Sequence, residues 1–213
     1  MKEAREPAEA APAPAGSGAP PRYCVEYEKD GPARLLAHLD LQEALERALR
    51  RARLPLAYTQ GFHPRPRLQF EDPLPLGWRS ECERLWIELE RAFPPAETLL
   101  RLAATAPPGL RFLRVYPVAR AQPPGARCYR VRGCALPADA AERVRVAFPG
   151  PAEAGGRAPV ALEPGDGGWR VTLRPLGRAP APSLKKVLVA LLGEPLPADL
   201  DVLRLAAADE DGT

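Results

Sequence analysis

Histidine is scarce in this chain, and cysteine shows no metal-binding spacing. Only His38 and His63 occur, and the four cysteines, Cys24, Cys82, Cys128 and Cys134, form no Cys-x-x-Cys pair. The usual zinc and iron–sulfur ligand patterns are therefore missing. No apolar run approaches the roughly 20 residues of a membrane span. No signal-peptide pattern precedes the cysteines, so reduced, buried thiols in a cytoplasmic protein are expected. A catalytic triad and a Gly-rich phosphate loop are also absent. Acid is missing from one long stretch: no Asp or Glu stands between Glu46 and Glu71.

What is present is a chain of ordinary globular character. Its 213 residues suffice for one large or two small domains, and its hydrophobic fraction is 46%. The net charge of +3 is mild and does not by itself imply nucleic acid. Any such argument must rest on local clustering.

The hydrophobic periodicity predicts an α+β protein. Residues 1–20 are Ala, Pro, Gly and Glu with no large apolar residue after Met1, and such a segment cannot offset its chain entropy. A disordered tail is expected there, and an acidic frayed end at 209–213. Strands are predicted at 23–27, 67–70, 84–89 and 110–118, with helices at 38–53 and from Pro95 to about 104. Leu41, Leu45 and Leu49 recur at helical spacing and should face the core. The order β-α-β-β-α-β is the split unit of ferredoxin-like folds. A weaker repeat follows, with strands at 127–136, 159–162, 169–173 and 200–205 and helices at 137–146 and 183–192, the last capped by Ser183. Two tandem ferredoxin-like units are predicted, at 21–120 and 127–208, with Pro123, Pro124 and Gly125 at the joint.

The acid-free window holds the candidate site. It carries Arg47, Arg50, Arg51, Arg53, Arg65 and Arg67, and within it Tyr58, Gln60, Gly61, Phe62 and His63 form a loop braced by Pro64 and Pro66. Arginine offers planar, bidentate donors suited to phosphate, and neighbouring aromatics can stack on bases. Arg47 and Arg50 also stand four residues after Glu43 and Glu46, an order that favours simple helical ion pairs. His38 and Asp40 open the first helix, where Asp40 suits the helix dipole. The blander alternatives are a solvated charged face, a backbone-satisfied His38, and a structural turn with Phe62 in the core. Glu81 and Glu83 could instead turn the arginines into a salt-bridge network.

Residues 38–89 resemble a radical-SAM-linked family of uncharacterised domains. The resemblance rests on His38-Leu39-Asp40, Arg47-Ala48-Leu49-Arg50-Arg51-Ala52 and Leu54-Pro55. It continues through Tyr58, Gly61-Phe62, Pro64, Pro66, Pro73-Leu74-Pro75-Leu76-Gly77 and Glu83. This chain departs from the family pattern at Ala37 (serine there), Glu43 (basic), Arg65 (histidine) and Trp86 (acidic). Such domains occur beside, or fused behind, cobalamin-binding radical SAM proteins. The resemblance implies an accessory protein whose partner carries the iron–sulfur cluster, S-adenosylmethionine and cobalamin. This chain has no Cys-x-x-x-Cys-x-x-Cys run and no cofactor of its own is expected.

Three functions follow as expectations. The first is binding RNA, or presenting a substrate to a radical SAM protein, through His38, Asp40, Arg47, Arg50, Arg51, Arg65, Arg67 and the loop. The second is docking on a protein partner without nucleic acid. The third is metal-independent RNA cleavage with His38 or His63 as general base.

Overall fold

The computed structural model describes residues 19–71, 74–121, 125–150, 158–165, 167–176 and 180–206. Most of the expected N-terminal tail, the joint prolines Pro123 and Pro124, and the acidic end at 209–213 lie outside the described residues. The fold is mixed α+β, with a mostly sheet core and, among the described residues, four α-helices. Its elements run β1 (Arg22–Lys29), α1 (His38–Arg51), β2 (Leu68–Phe70), β3 (Arg79–Glu88), α2 (Pro95–Ala103) and β4 (Leu110–Val118). They continue as β5 (Arg127–Arg132), α3 (Ala140–Ala147), β6 (Val160–Gly165), β7 (Gly168–Leu173), α4 (Leu184–Leu192) and β8 (Asp201–Arg204). A short 3-10 turn, Gly31–Leu35, links β1 to α1.

All eight strands share one sheet, ordered β4-β1-β3-β8-β5-β7-β6, with β2 also on β3. Within the first half β1 lies antiparallel between β4 and β3, and β2 pairs β3 antiparallel. The second half repeats this pattern, with β5 between β8 and β7 and β6 on β7. The halves join where β3 pairs β8 in parallel at Arg79–Ser80 and Leu203–Arg204. The strands of the two expected units lie in one continuous sheet.

The apolar positions decide which face is covered. On α1, Leu41, Ala44, Leu45, Ala48 and Leu49 are buried, the stripe that a period of 3.6 residues requires. They pack with Tyr23, Val25 and Tyr27 of β1 and Leu85 and Ile87 of β3, which alternate onto the same side. A second cluster gathers Tyr129, Val131, Val171 and Leu173 under Leu184, Val187, Leu188 and Leu191 of α4. Helix ends follow local chemistry: Ser183 accepts from the Lys186 amide and Pro95 opens α2, while Ala37 gives α1 no side-chain cap.

The other face of the first half carries the opposite residues of each strand. One row across four strands is Tyr116, Cys24, Trp86 and Gln69. The adjoining rows pair Arg22 with Glu88, and Arg114, Glu26 and Arg84. Glu26 accepts from Arg84, Arg114 and the Tyr116 hydroxyl, at 3.3, 2.8 and 3.1 Å.

Candidate functional site

The candidate loop is a braced hairpin. Its stems, 57–59 and 65–67, are tied by Thr59 N–H donating to the Arg65 carbonyl (2.8 Å) and Arg67 N–H to the Ala57 carbonyl (2.8 Å). The Arg65 amide also donates to Thr59 Oγ1 at 3.0 Å. The base is stitched to the end of β3, because Ala57 N–H donates to the Glu88 carbonyl and Glu88 N–H to the Arg67 carbonyl, at 2.9 and 3.1 Å. Gly61 takes φ +137°, a conformation that L side chains rarely adopt. The stems are thereby fixed by hydrogen bonds, and Pro64 and Pro66 restrict the backbone on the return side of the tip.

Phe62 stands wholly in solvent at this tip (relative accessibility 103%), with Gln60, His63 and Arg65 exposed around it and Tyr58 half-turned outward. The alternative of a core-anchored Phe62 does not hold. A fully exposed aromatic is the exception to normal burial.

The arginine window divides in three dimensions. Arg47 and Arg50 pair with Glu43 and Glu46 on their own helix, at 3.1 and 2.5 Å. Arg51 donates to the Thr105 carbonyl at 3.0 Å, anchoring the end of α2. Arg67 lies 3.0 Å from Glu88, which Arg22 also contacts. The window is thus neutralised in part by an acid outside it. That acid is not Glu81 or Glu83: Glu81 accepts from the Ala206 amide and Glu83 from Arg204. Among the described residues, the guanidinium groups of Arg53 and Arg65 contact no carboxylate.

His38 sits away from the tip. Its Nε2 lies 2.8 Å from Gln42 Nε2, and its ring meets Phe70 edge-on with centroids 6.2 Å apart. Asp40 is exposed in the first turn of α1. Neither His38 nor His63 contacts a carboxylate among the described residues, so neither is oriented as a general base by one.

At the foot of the hairpin is a cleft of about 260 Å³ lined by Arg22, Thr59, Pro66, Arg67, Gln69, Trp86 and Glu88, with Leu68 at its edge. Trp86 is a departure from the family pattern, and nothing in the local sequence singles out Arg22, Gln69 or Glu88. The alternation of β1, β2 and β3 would place them on one face once the pairing is known.

A buried ionic cluster, also unforeseen, lies at the seam of the halves. Arg204 of β8 donates to Glu71 Oε1 (2.5 Å) and Glu83 Oε1 (3.2 Å), and Arg127 Nε stands 3.8 Å from Glu71. Burial pushes the Glu83 carboxyl above its ordinary range, while Arg204 pulls it down. Tyr27 and Tyr129 are also pushed upward by burial beside these charges.

Among the described residues no helix is long and apolar enough to cross a membrane. Residues 22–143 match a family described as an uncharacterised protein conserved in bacteria (DUF2344). No curated protein matches the chain.

Proposed function

The chain belongs to that uncharacterised bacterial family, and from this premise we propose that it is a non-catalytic accessory protein that binds single-stranded RNA through its hairpin tip. The observation that carries the reading is the wholly exposed Phe62 at the tip of a hydrogen-bonded hairpin, followed by His63 and Arg65. An aromatic ring presented to solvent is a stacking platform for any base, and a neighbouring guanidinium suits the phosphate beside it. Arg65 and Arg67 project to the same side of an extended stem, two residues apart, and so form a short cationic track toward the cleft.

The resemblance of residues 38–89 to radical-SAM-linked domains supports a place beside a radical SAM protein, which would supply the iron–sulfur cluster, S-adenosylmethionine and cobalamin. The repeated strand order supports reading the two halves as tandem ferredoxin-like units joined edge to edge. Cleavage by His38 or His63 has less support, since His38 is engaged by Gln42 and Phe70.

The pairing is specific enough to set a magnitude. With one or two phosphates held by Arg65 and Arg67, log Kobs should fall with log salt at a slope of roughly −0.7 to −1.4. Fluorescence anisotropy of a labelled single-stranded RNA tests this. Phe62→Ala should weaken binding about 5- to 150-fold, since stacking contributes about 1–3 kcal/mol per base, and Arg65→Ala should weaken binding and flatten the salt slope by about 0.7. Unchanged affinity in both variants overturns the reading. The pairing of Arg47, Arg50 and Arg67 with glutamates favours a second reading, in which Phe62 enters an apolar pocket on a protein partner. Co-purification that survives nuclease and high salt, and is lost in Phe62→Ala, would select it.

A further inference from the structure

We infer that the cleft at the foot of the hairpin is a base-reading pocket that prefers a nucleobase with an exocyclic amino group. The inference rests on the RNA reading above and names what its site selects. Three observations carry it.

The first is the state of Glu88. Its residue is 9% exposed, Arg22 occupies Oε1, and Arg67 Nη1 lies 3.0 Å from Oε2. That second approach lacks hydrogen-bond alignment, and Oε2 is buried with no hydrogen-bond partner. A buried carboxylate oxygen without a donor is costly. It becomes an acceptor for an incoming N–H from the cleft once Arg67 swings from it to a phosphate.

The second is the shape and lining. About 260 Å³ is below the range of about 300–1,000 Å³ usual for drug-sized ligands, which suits a single planar ring system. Trp86 forms an apolar floor, and Gln69, its cross-strand neighbour, is exposed beside it with an amide that can both donate and accept.

The third is continuity. Thr59, Pro66 and Arg67 are both wall of the cleft and stem of the hairpin. A strand whose base rests in the cleft would pass its phosphate along Arg67 and Arg65 toward Phe62.

The chemistry then discriminates between bases. Cytosine presents an N4 amino group, a donor, where uracil presents the O4 carbonyl, an acceptor. A carboxylate accepts from the first and repels the second. The two rings are otherwise alike in size, so stacking does not confuse the comparison.

The experiment measures anisotropy of labelled oligocytidylate and oligouridylate RNA on the full chain. The expected result is about tenfold tighter binding of the cytidine oligomer, since a hydrogen bond to a charged group contributes about 1.5–3 kcal/mol. Glu88→Gln, whose amide can turn a donor toward O4, should abolish or invert the preference. Gln69→Ala, which leaves the ion pairs untouched, should weaken both oligomers, and it serves where Glu88→Gln melts early. Equal affinities for the two oligomers, with binding still lost in Phe62→Ala, would overturn the pocket and leave the hairpin reading standing. Retention of the cytidine preference in Glu88→Gln would equally overturn it. Binding of neither oligomer would overturn both.

Discussion

The buried cluster at the seam makes a demanding stability prediction. Arg204 is 6% exposed and reaches Glu71 and Glu83, themselves 5% and 3% exposed. Replacing it by Met keeps apolar volume but strands two buried carboxylates, which Arg127, 3.8 Å from Glu71, and Ser80 and Lys29 beside Glu83 offset only in part. Breaking a buried pair by removing one partner costs about 3–5 kcal/mol. For a chain of this size each kcal/mol shifts Tm by about 2–4 °C, so Arg204→Met should lower Tm by roughly 6–20 °C. The loss must also depend on pH. The Glu83 carboxyl is already raised by burial, against the lowering influence of Arg204. Without Arg204 it rises further, so the folded state holds its proton more tightly than the unfolded state does. A raised carboxyl contributes stability below the unfolded pKa of about 4.3 and loses it as pH climbs through the folded value. The destabilisation should therefore be largest near neutral pH and shrink as pH falls. Adding Glu83→Gln should recover part of it, a coupling of about 0.5–3 kcal/mol in a double-mutant cycle. Urea titrations between pH 5 and pH 8 provide the readout. A loss under about 1 kcal/mol, or one constant across that range, would refute the view that Arg204 is the compensating charge.

Two smaller perturbations test the local geometry. Ala37→Ser should supply the cap that α1 lacks and raise stability by about 1 kcal/mol, visible as a higher urea midpoint at unchanged m-value. Gly109→Ala and Gly61→Ala both place a side chain at positive φ, but a Cβ at Gly109 meets the Asp30 carbonyl oxygen at 2.3 Å while one at Gly61 meets nothing within 4 Å. Gly61→Ala should cost only the strain of about 1–2 kcal/mol, and Gly109→Ala clearly more in thermal melts of the two variants.

The contrast between what the sequence shows and what it hides runs along the sheet. The helices were legible because Leu41, Leu45 and Leu49, or Leu184, Val187, Leu188 and Leu191, need no partner to declare their face. The start of β3 was not. Residues 79–83, Arg-Ser-Glu-Cys-Glu, fall before the strand predicted from 84, yet they form strand because Ser80 and Glu83 pair with Lys29 and Tyr27 and Arg204 satisfies Glu83. Polar residues become strand-compatible only when a distant chain segment satisfies them, and no window of local sequence contains Arg204 beside Glu83. The same limit governs the site. The helical pairs Glu43–Arg47 and Glu46–Arg50 could be read from their spacing, but the Arg67–Glu88 pair depends on a hairpin folding back onto the end of β3. The exposure of Phe62 was equally invisible, since an aromatic between Gly and His suits either a buried anchor or a projecting tip.

These pairings decide what kind of recognition the molecule can perform. On the face of the first half opposite the helices, Glu26 is shared by Arg84 and Arg114, Glu88 by Arg22 and Arg67, and Glu28 is taken by Arg111. Of the six arginines in the acid-free window, Arg47, Arg50 and Arg67 are likewise held by glutamates and Arg51 by a carbonyl. A site drawing on bulk positive charge would lose affinity steeply with salt, because each neutralised phosphate releases counterion. The proposed RNA site would retain chiefly Arg65 and a shared Arg67, and its discrimination would then rest on stacking on Phe62 and on Oε2 of Glu88. A measured salt slope much steeper than about −1.4 would mean that the glutamate pairs open on binding. The paired arginines would then be a reserve of phosphate ligands, released when the carboxylates are displaced.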